Sequence, residues 1–229
     1  MRRFWKEVTV APVDAGWQVA LDGRLVRTPA RLPLIVPNEQ LATAIAGEWA
    51  AVEHEIRAGD MPLTGLANAT IDHVLPDPAA FAGNLAIHAE SDLVCYRAEH
   101  PQGLVARQAE AWDLPLATIE RRFDVQFHRT AGISWVAQPA ETLARIRAAF
   151  AGQSPWRLAP MQPLVTITGS AILALAVVEN LLDSEAALAA GMVDELWQAE
   201  QWGMDAEAAA ARDARARQYR DAIAFLRLL

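Results

Sequence analysis

Gly16-Trp17-Gln18-Val19-Ala20-Leu21-Asp22-Gly23-Arg24-Leu25-Val26-Arg27-Thr28 is the stretch from which the fold class is read. Two strand-like runs, 16–21 and 24–28, flank Asp22-Gly23. An Asp-Gly pair in that position predicts a two-residue type I′ hairpin, because both turn residues need positive φ. Upstream, residues 4–10 form a third strand candidate. Downstream, Pro29, Pro33 and Pro37 bracket Leu34-Ile35-Val36 and confine it to an edge or a brief strand, since proline gives no amide to a ladder.

Past Pro37 the pattern turns helical. Asn38 is a good N-cap, able to accept from first-turn amides, and Leu41, Ile45, Trp49 and Val52 recur at helical spacing. Gly59 is a natural stop. Further helices are predicted over 62–74 and 78–88, through Trp112 to Phe123 with an interruption near Pro115, and from Pro139 with Leu143, Ile146 and Phe150 on the buried face. Residues 93–96 read as a short buried strand or a helix end, and 152–163 as a proline-rich connection or a broken helix. Residues 125–128 and 133–137 are short strand candidates, open with 93–96 to joining the first sheet. Residues 169–179 are apolar nearly all round and predict a buried central helix with Ser170 as its cap. Asp183-Ser184 caps a helix that ends at Gly203, and Asp205 opens the last helix. The expected architecture is α+β: a small β-containing domain over 1–60, with antiparallel strands plus a helix, and a mainly α-helical domain over 61–229.

With 229 residues and a hydrophobic fraction of 53%, the chain can bury a substantial core. A formal net charge of −8 lacks the basic footprint of a nucleic-acid binder. Lys6 is the only lysine, which argues against a phosphate-loop ATPase and a Schiff-base enzyme. Cys95 stands alone, so neither an internal disulfide nor a multi-cysteine zinc site can form. The longest apolar run, 171–178, is far short of the ~20 residues of a membrane span. No apolar signal core follows Met1-Arg2-Arg3. These features predict a cytoplasmic protein without membrane insertion, or a matrix protein if the chain is organellar.

Chemistry-bearing residues do not assemble in the sequence. His88-Ala89-Glu90 matches half of a zinc deaminase signature whose cysteine pair the chain lacks. Glu53-His54-Glu55 and Asp72-His73 place ligand types side by side, where helix neighbours diverge by ~100°. Ser170 has no nucleophile-elbow context, and Gly47, Gly59, Gly65 and Gly83 form no dinucleotide fingerprint. No catalytic residue, metal site, cofactor or nucleotide is expected, and binding is favoured over turnover. The alternative is a metal-dependent hydrolase using Asp194, Glu195 or Glu200 with His88.

The stretch that invites a partner is Met192-Val193-Asp194-Glu195-Leu196-Trp197-Gln198-Ala199-Glu200-Gln201-Trp202-Gly203. On a helical wheel, Leu188, Met192, Leu196 and Ala199 make an apolar stripe flanked by Glu195 and Trp202, opposite Asp194, Trp197, Gln198 and Gln201. Either both indoles are core residues under neighbouring helices, or Trp197 is an interface anchor ringed by polar groups.

Nearly end to end, the chain resembles the assembly chaperones that bind the α subunit of the ATP synthase catalytic head. The resemblance is carried by Arg3-Phe4-Trp5-Lys6-Glu7-Val8, Leu21-Asp22-Gly23-Arg24, Thr28-Pro29, Glu48-Trp49, Met61-Pro62-Leu63-Thr64 and Asn68-Ala69. Glu90-Ser91-Asp92-Leu93-Val94-Cys95-Tyr96-Arg97, Asp194-Glu195-Leu196-Trp197-Gln198 and Trp202-Gly203 complete it. It implies a smaller N-terminal β-containing domain before a helical one. It also implies a protein that holds free α until the β subunit replaces it, and a sensitive acidic position at Asp194 or Glu195. Asp194, Glu195, Trp197, Gln198, Gln201 and Trp202 are therefore the expected partner-binding residues. The chain departs from the family pattern at Leu114-Pro115, where proline usually follows the aspartate directly, and at Leu196, where an acidic residue is common.

Overall fold

In the computed structural model, which describes residues 2–132 and 134–229, the Asp-Gly hairpin forms as the sequence predicts. Strand β2 (Gly16–Leu21) turns through Asp22 at φ 47° and Gly23 at φ 75° into β3 (Arg24–Leu25), with Leu21 opposite Arg24. On the other side, β1 (Val8–Val13) pairs antiparallel with β2 in a register running from Val8 opposite Leu21 to Val13 opposite Gly16. The short β4 (Ile35–Val36) pairs with the start of β2, Trp17 opposite Val36. Gly16 is required there, because a Cβ at that position would lie 2.3 Å from the Val36 carbonyl oxygen.

Helix α1 (Glu39–Ala51) opens on Asn38, whose Oδ1 accepts from the Leu41 amide at 2.8 Å. Leu41, Ala42 and Ile45 are buried against Trp5, Val19, Leu21, Leu34 and Val36. Full burial of a side chain the size of Leu41 or Ile45 contributes about 1.5–3 kcal/mol. Trp49 meets Trp5 edge-on at 5.2 Å. Helix α2 (Pro62–Ala69) begins with the proline that the first turn tolerates. It is capped from α1: the Glu48 carboxylate accepts the Leu63 and Thr64 amides at 2.7 and 2.8 Å and the Thr64 hydroxyl at 2.6 Å. A π-turn over Thr70–Val74 continues it.

The chain divides into two compact units, neither a continuous run. The first takes the residues up to Pro78 together with Ser154–Pro160 and Arg220–Leu229; the second comprises Ala79–Gln153 and Met161–Tyr219. The late segments belong with the first unit because Trp156 stacks on Phe225 at 6.5 Å and Asn38 Nδ2 donates to the Leu228 carbonyl at 2.9 Å.

The remaining elements are helices α3 (Pro78–Ala86), α4 (Gln102–Phe123), α5 (Ala140–Ala151), α6 (Pro155–Thr168), α7 (Ala171–Val178), α8 (Ser184–Gly191), α9 (Val193–Trp202) and α10 (Ala206–Arg227). Strands β5 (Tyr96–Arg97) and β6 (Thr130–Ala131) pair in parallel as a second sheet, separate from the first. The expected strand over 125–128 does not form, because side chains take its amides. Phe127 N donates to Glu120 Oε1 and His128 N to Gln138 Oε1, each at 2.8 Å. Of the other candidate, Ile133 lies outside the described residues and 134–137 form no strand. Pro115 does not interrupt α4. It lies buried inside the helix beside the buried Trp112, Leu116 and Ile119, whose packing outweighs one missing hydrogen bond.

Helix α7 is the buried centre of the second unit, with seven of its eight residues fully enclosed. Its first amides need acceptors that an apolar helix cannot supply. Ser170 Oγ accepts from Leu173 N at 3.0 Å, and the wholly buried Asp92 accepts from Ile172 N at 3.0 Å and from Val94 N at 3.2 Å. Nearby Cys95 is buried, and burial raises its thiol pKa, so it packs as a small apolar group.

Burial pushes the Asp92 carboxyl up to about 6, against an ordinary 3.8, although its hydrogen bonds act the other way. The folded state therefore binds the proton first, and the cost of holding the group ionised is complete above pH 6 and is shed as the pH falls toward 4. Replacing Asp92 by Ala orphans the Ile172 amide and is expected to cost about 2 kcal/mol or more, measured by urea unfolding. The stability difference between the parent and Asp92→Asn should shift in the parent's favour as the pH is lowered through that interval. Parallel pH profiles would contradict it.

Candidate functional site

The expected single helix from Ser184 to Trp202 is two helices, broken at Met192 (φ −107°, ψ 5°). The indole of Trp112 donates to the Ala190 carbonyl at 2.7 Å, occupying an oxygen that a continuous helix would offer to the Asp194 amide. Gly191 lies so close to α6 that a Cβ there would be 2.7 Å from Thr168 Cα. The break lets α9 lie along α4 by a direction of its own. None of its residues is fully buried.

Three contacts seat α9 on α4. Trp197 is half-buried, its ring edge filling the space that a side chain at Gly103 would take: a Cβ there would lie 2.6 Å from Cη2. The Arg107 guanidinium sits 4.9 Å from the Trp197 ring centroid and makes a bidentate pair with Glu200, at 2.8 and 2.7 Å. That pairing raises the Arg107 pKa and lowers that of Glu200. Asp194 Oδ1 accepts from Gln108 Nε2 at 2.7 Å. On the opposite side, Glu195 forms an ion pair with Arg215 of α10.

The six expected partner residues thus separate. Asp194 and Trp197 turn to α4 and Glu195 to α10, whereas Gln198, Gln201 and Trp202 are exposed. Trp202 is 79% exposed at the C-terminal end of α9, where Gly203 (φ 80°) closes the helix. Of the two indoles on α9, the solvent-facing one is Trp202, not Trp197. Sequence reasoning missed Gly103, Arg107, Gln108 and Arg215. The only trace of them is Gln108 on the apolar face of α4, four residues before Trp112, a position that would ordinarily hold an aliphatic side chain.

The metal-hydrolase alternative finds no support in this geometry. Asp194, Glu195 and Glu200 are engaged by Gln108, Arg215 and Arg107, and no group of three His, Cys, Asp or Glu among the described residues is placed to hold a metal ion. No helix among the described residues is long and apolar enough to cross a membrane.

Known proteins share this fold over nearly the whole chain. The crystal structure of Atp12 from Paracoccus denitrificans is 40% identical and superposes with a TM-score of 0.94, covering 99% of this chain and 97% of that one. A structure from Agrobacterium tumefaciens is 38% identical with a TM-score of 0.93, covering 99% and 85%. The mitochondrial protein atp12 of Schizosaccharomyces pombe is 28% identical over 214 residues, 88% of this chain and 74% of its own length. The ATP12 chaperone protein family matches residues 2–120. These matches put the molecule in the class of α+β chaperones. The chain belongs to the ATP12 chaperone family, the ATP synthase assembly chaperones whose resemblance its motifs carry.

The Gly103 contact is testable by contrast with Gly47, which lies inside α1 with open space around its Cβ position. Gly47→Ala is expected to stabilise by about 0.5–1 kcal/mol through helix propensity alone. Gly103→Ala must displace the Trp197 ring and is expected to destabilise by about 1–3 kcal/mol. Thermal unfolding decides between opposite shifts and shifts of one sign.

Proposed function

We propose that the chain binds the free α subunit of ATP synthase and shields its β-contacting surface until the β subunit takes its place, in the bacterial cytoplasm or the mitochondrial matrix. Family membership supports the chaperone role, and the resemblance carried by the motifs supports α as the client. The contact face is α9, with Trp202, Gln198 and Gln201 reaching outward and Asp194, Glu195 and Trp197 behind them. The observation that carries this reading is the exposure of Trp202 beside two exposed amides. An indole left in water is a favourable group to bury on association, and tryptophan is prominent among residues that dominate binding energy.

Such a chaperone needs no cofactor or nucleotide. By binding folded α it shifts α away from unfolded and aggregated forms by mass action, and β displaces it when the α–β contact has the greater free energy. Large apolar faces left uncovered drive non-specific association, which is the hazard that the cover removes.

Affinity capture of the tagged chain from cells is expected to retrieve α without β. Trp202→Ala is expected to weaken the purified pair by about tenfold or more, the loss of at least ~1.4 kcal/mol. Retrieval of assembled α and β together, or an affinity unchanged by Trp202→Ala, would refute the respective part of the proposal.

A further inference from the structure

Gln108 is a buried polar residue, 3% exposed, in the middle of the packed face of α4. Both ends of its amide are occupied. Oε1 accepts from the backbone amide of Ala98 at 2.7 Å, just past β5, and Nε2 donates to Asp194 Oδ1 at 2.7 Å. A backbone N–H can only donate, so Ala98 fixes which way the amide points. Nε2 is thereby aimed at α9, and residue 194 is asked for an acceptor and not for a negative charge.

We infer that Asp194 and Gln108 are positioning residues: Asp194 acts through Gln108 to set the rotation of α9 on α4, and so the outward placement of Gln198, Gln201 and Trp202, without itself reaching the partner. This rests on the reading of α9 as the contact face. The geometry around the pair favours it. Asp194 is half-buried with its carboxylate turned to α4, and Trp197, one turn on, fits the slot at Gly103 only if α9 keeps that rotation. The Arg107–Glu200 pair clamps the next turn of the same face. A rotation of one residue step, ~100°, would carry Trp197 out of its slot and turn the exposed side chains away from their present direction.

The discriminating variants differ in what they offer Gln108. Asp194→Asn keeps an acceptor oxygen and loses the charge, whereas Asp194→Leu and Gln108→Leu each abolish the hydrogen bond and leave a partner unsatisfied. With purified α, Asp194→Asn is expected to bind within about threefold of the parent. Asp194→Leu and Gln108→Leu should each bind about tenfold or more weakly, and the double variant no worse than Gln108→Leu alone, because the bond that Asp194→Leu removes is then already gone. In the free protein, amide hydrogen exchange across α9 should quicken in the two leucine variants and stay at the parent rate in Asp194→Asn. An Asp194→Asn protein as weak as Asp194→Leu would show that the charge meets the partner directly and overturn the inference, as would unchanged α9 exchange in the leucine variants. If Gln108→Leu does not fold, the Asn and Leu variants at 194 decide alone. If the parent itself fails to bind α, the proposed function falls, while the exchange measurement still judges the positioning role.

Discussion

A carboxylate withdrawn wholly from water, Asp92, supplies what the buried helix at the centre of the second unit cannot make for itself. The first amides of α7 have no partner within the helix and no route to solvent, so their acceptors must come from other side chains. Asp92 and Ser170 provide them, and the Leu93 amide donates to the Gly169 carbonyl beside them. The segment from Asp92 to Ala98 is thereby pinned against the start of α7. From that segment Ala98 orients Gln108, and from Gln108 the seat of α9 follows. The burial that makes Asp92 uncomfortable as a charge is the same burial that makes its hydrogen bonds indispensable.

The α9 face is arranged so that its intramolecular contacts and its exposed groups do not compete. Arg107, Gln108 and Arg215 engage the charged side chains, and Gly103 makes room for one indole. Beside these partly exposed ion pairs, the outward side of α9 presents an indole and two neutral amides. Neutral, partly apolar groups suit a contact that must form and later be surrendered, since desolvating them costs far less than desolvating a charge.

Much of the fold was legible. The Asp22-Gly23 hairpin, the Asn38 cap, the α1 stripe and the all-apolar α7 depend on neighbours within a few residues, and each formed where its pattern put it. The errors share one physical cause. Residues 125–128 had strand composition, but Glu120 and Gln138 took their amides; Pro115 is a helix breaker by rule, yet Trp112, Leu116 and Ile119 held the helix around it. The Ser184 to Trp202 pattern read as continuous, but Trp112 captured the Ala190 carbonyl. In each, burial or a hydrogen bond that exists only in the folded chain overrides a local preference.

The same division runs through the site. The sequence by itself determined that the chain is an α+β protein of the ATP12 chaperone family, and that a helix carrying two tryptophans and several carboxylates and amides ends at Gly203, because turn chemistry, periodicity and motif order are local properties. Only the tertiary structure decided that Trp197 turns inward and Trp202 outward, and that Asp194 is held by Gln108, eighty-six residues away. A helical wheel fixes the angles between side chains on one helix, but the absolute rotation of that helix is set by the surface it packs against. Here that surface is Gly103, Arg107 and Gln108 of α4.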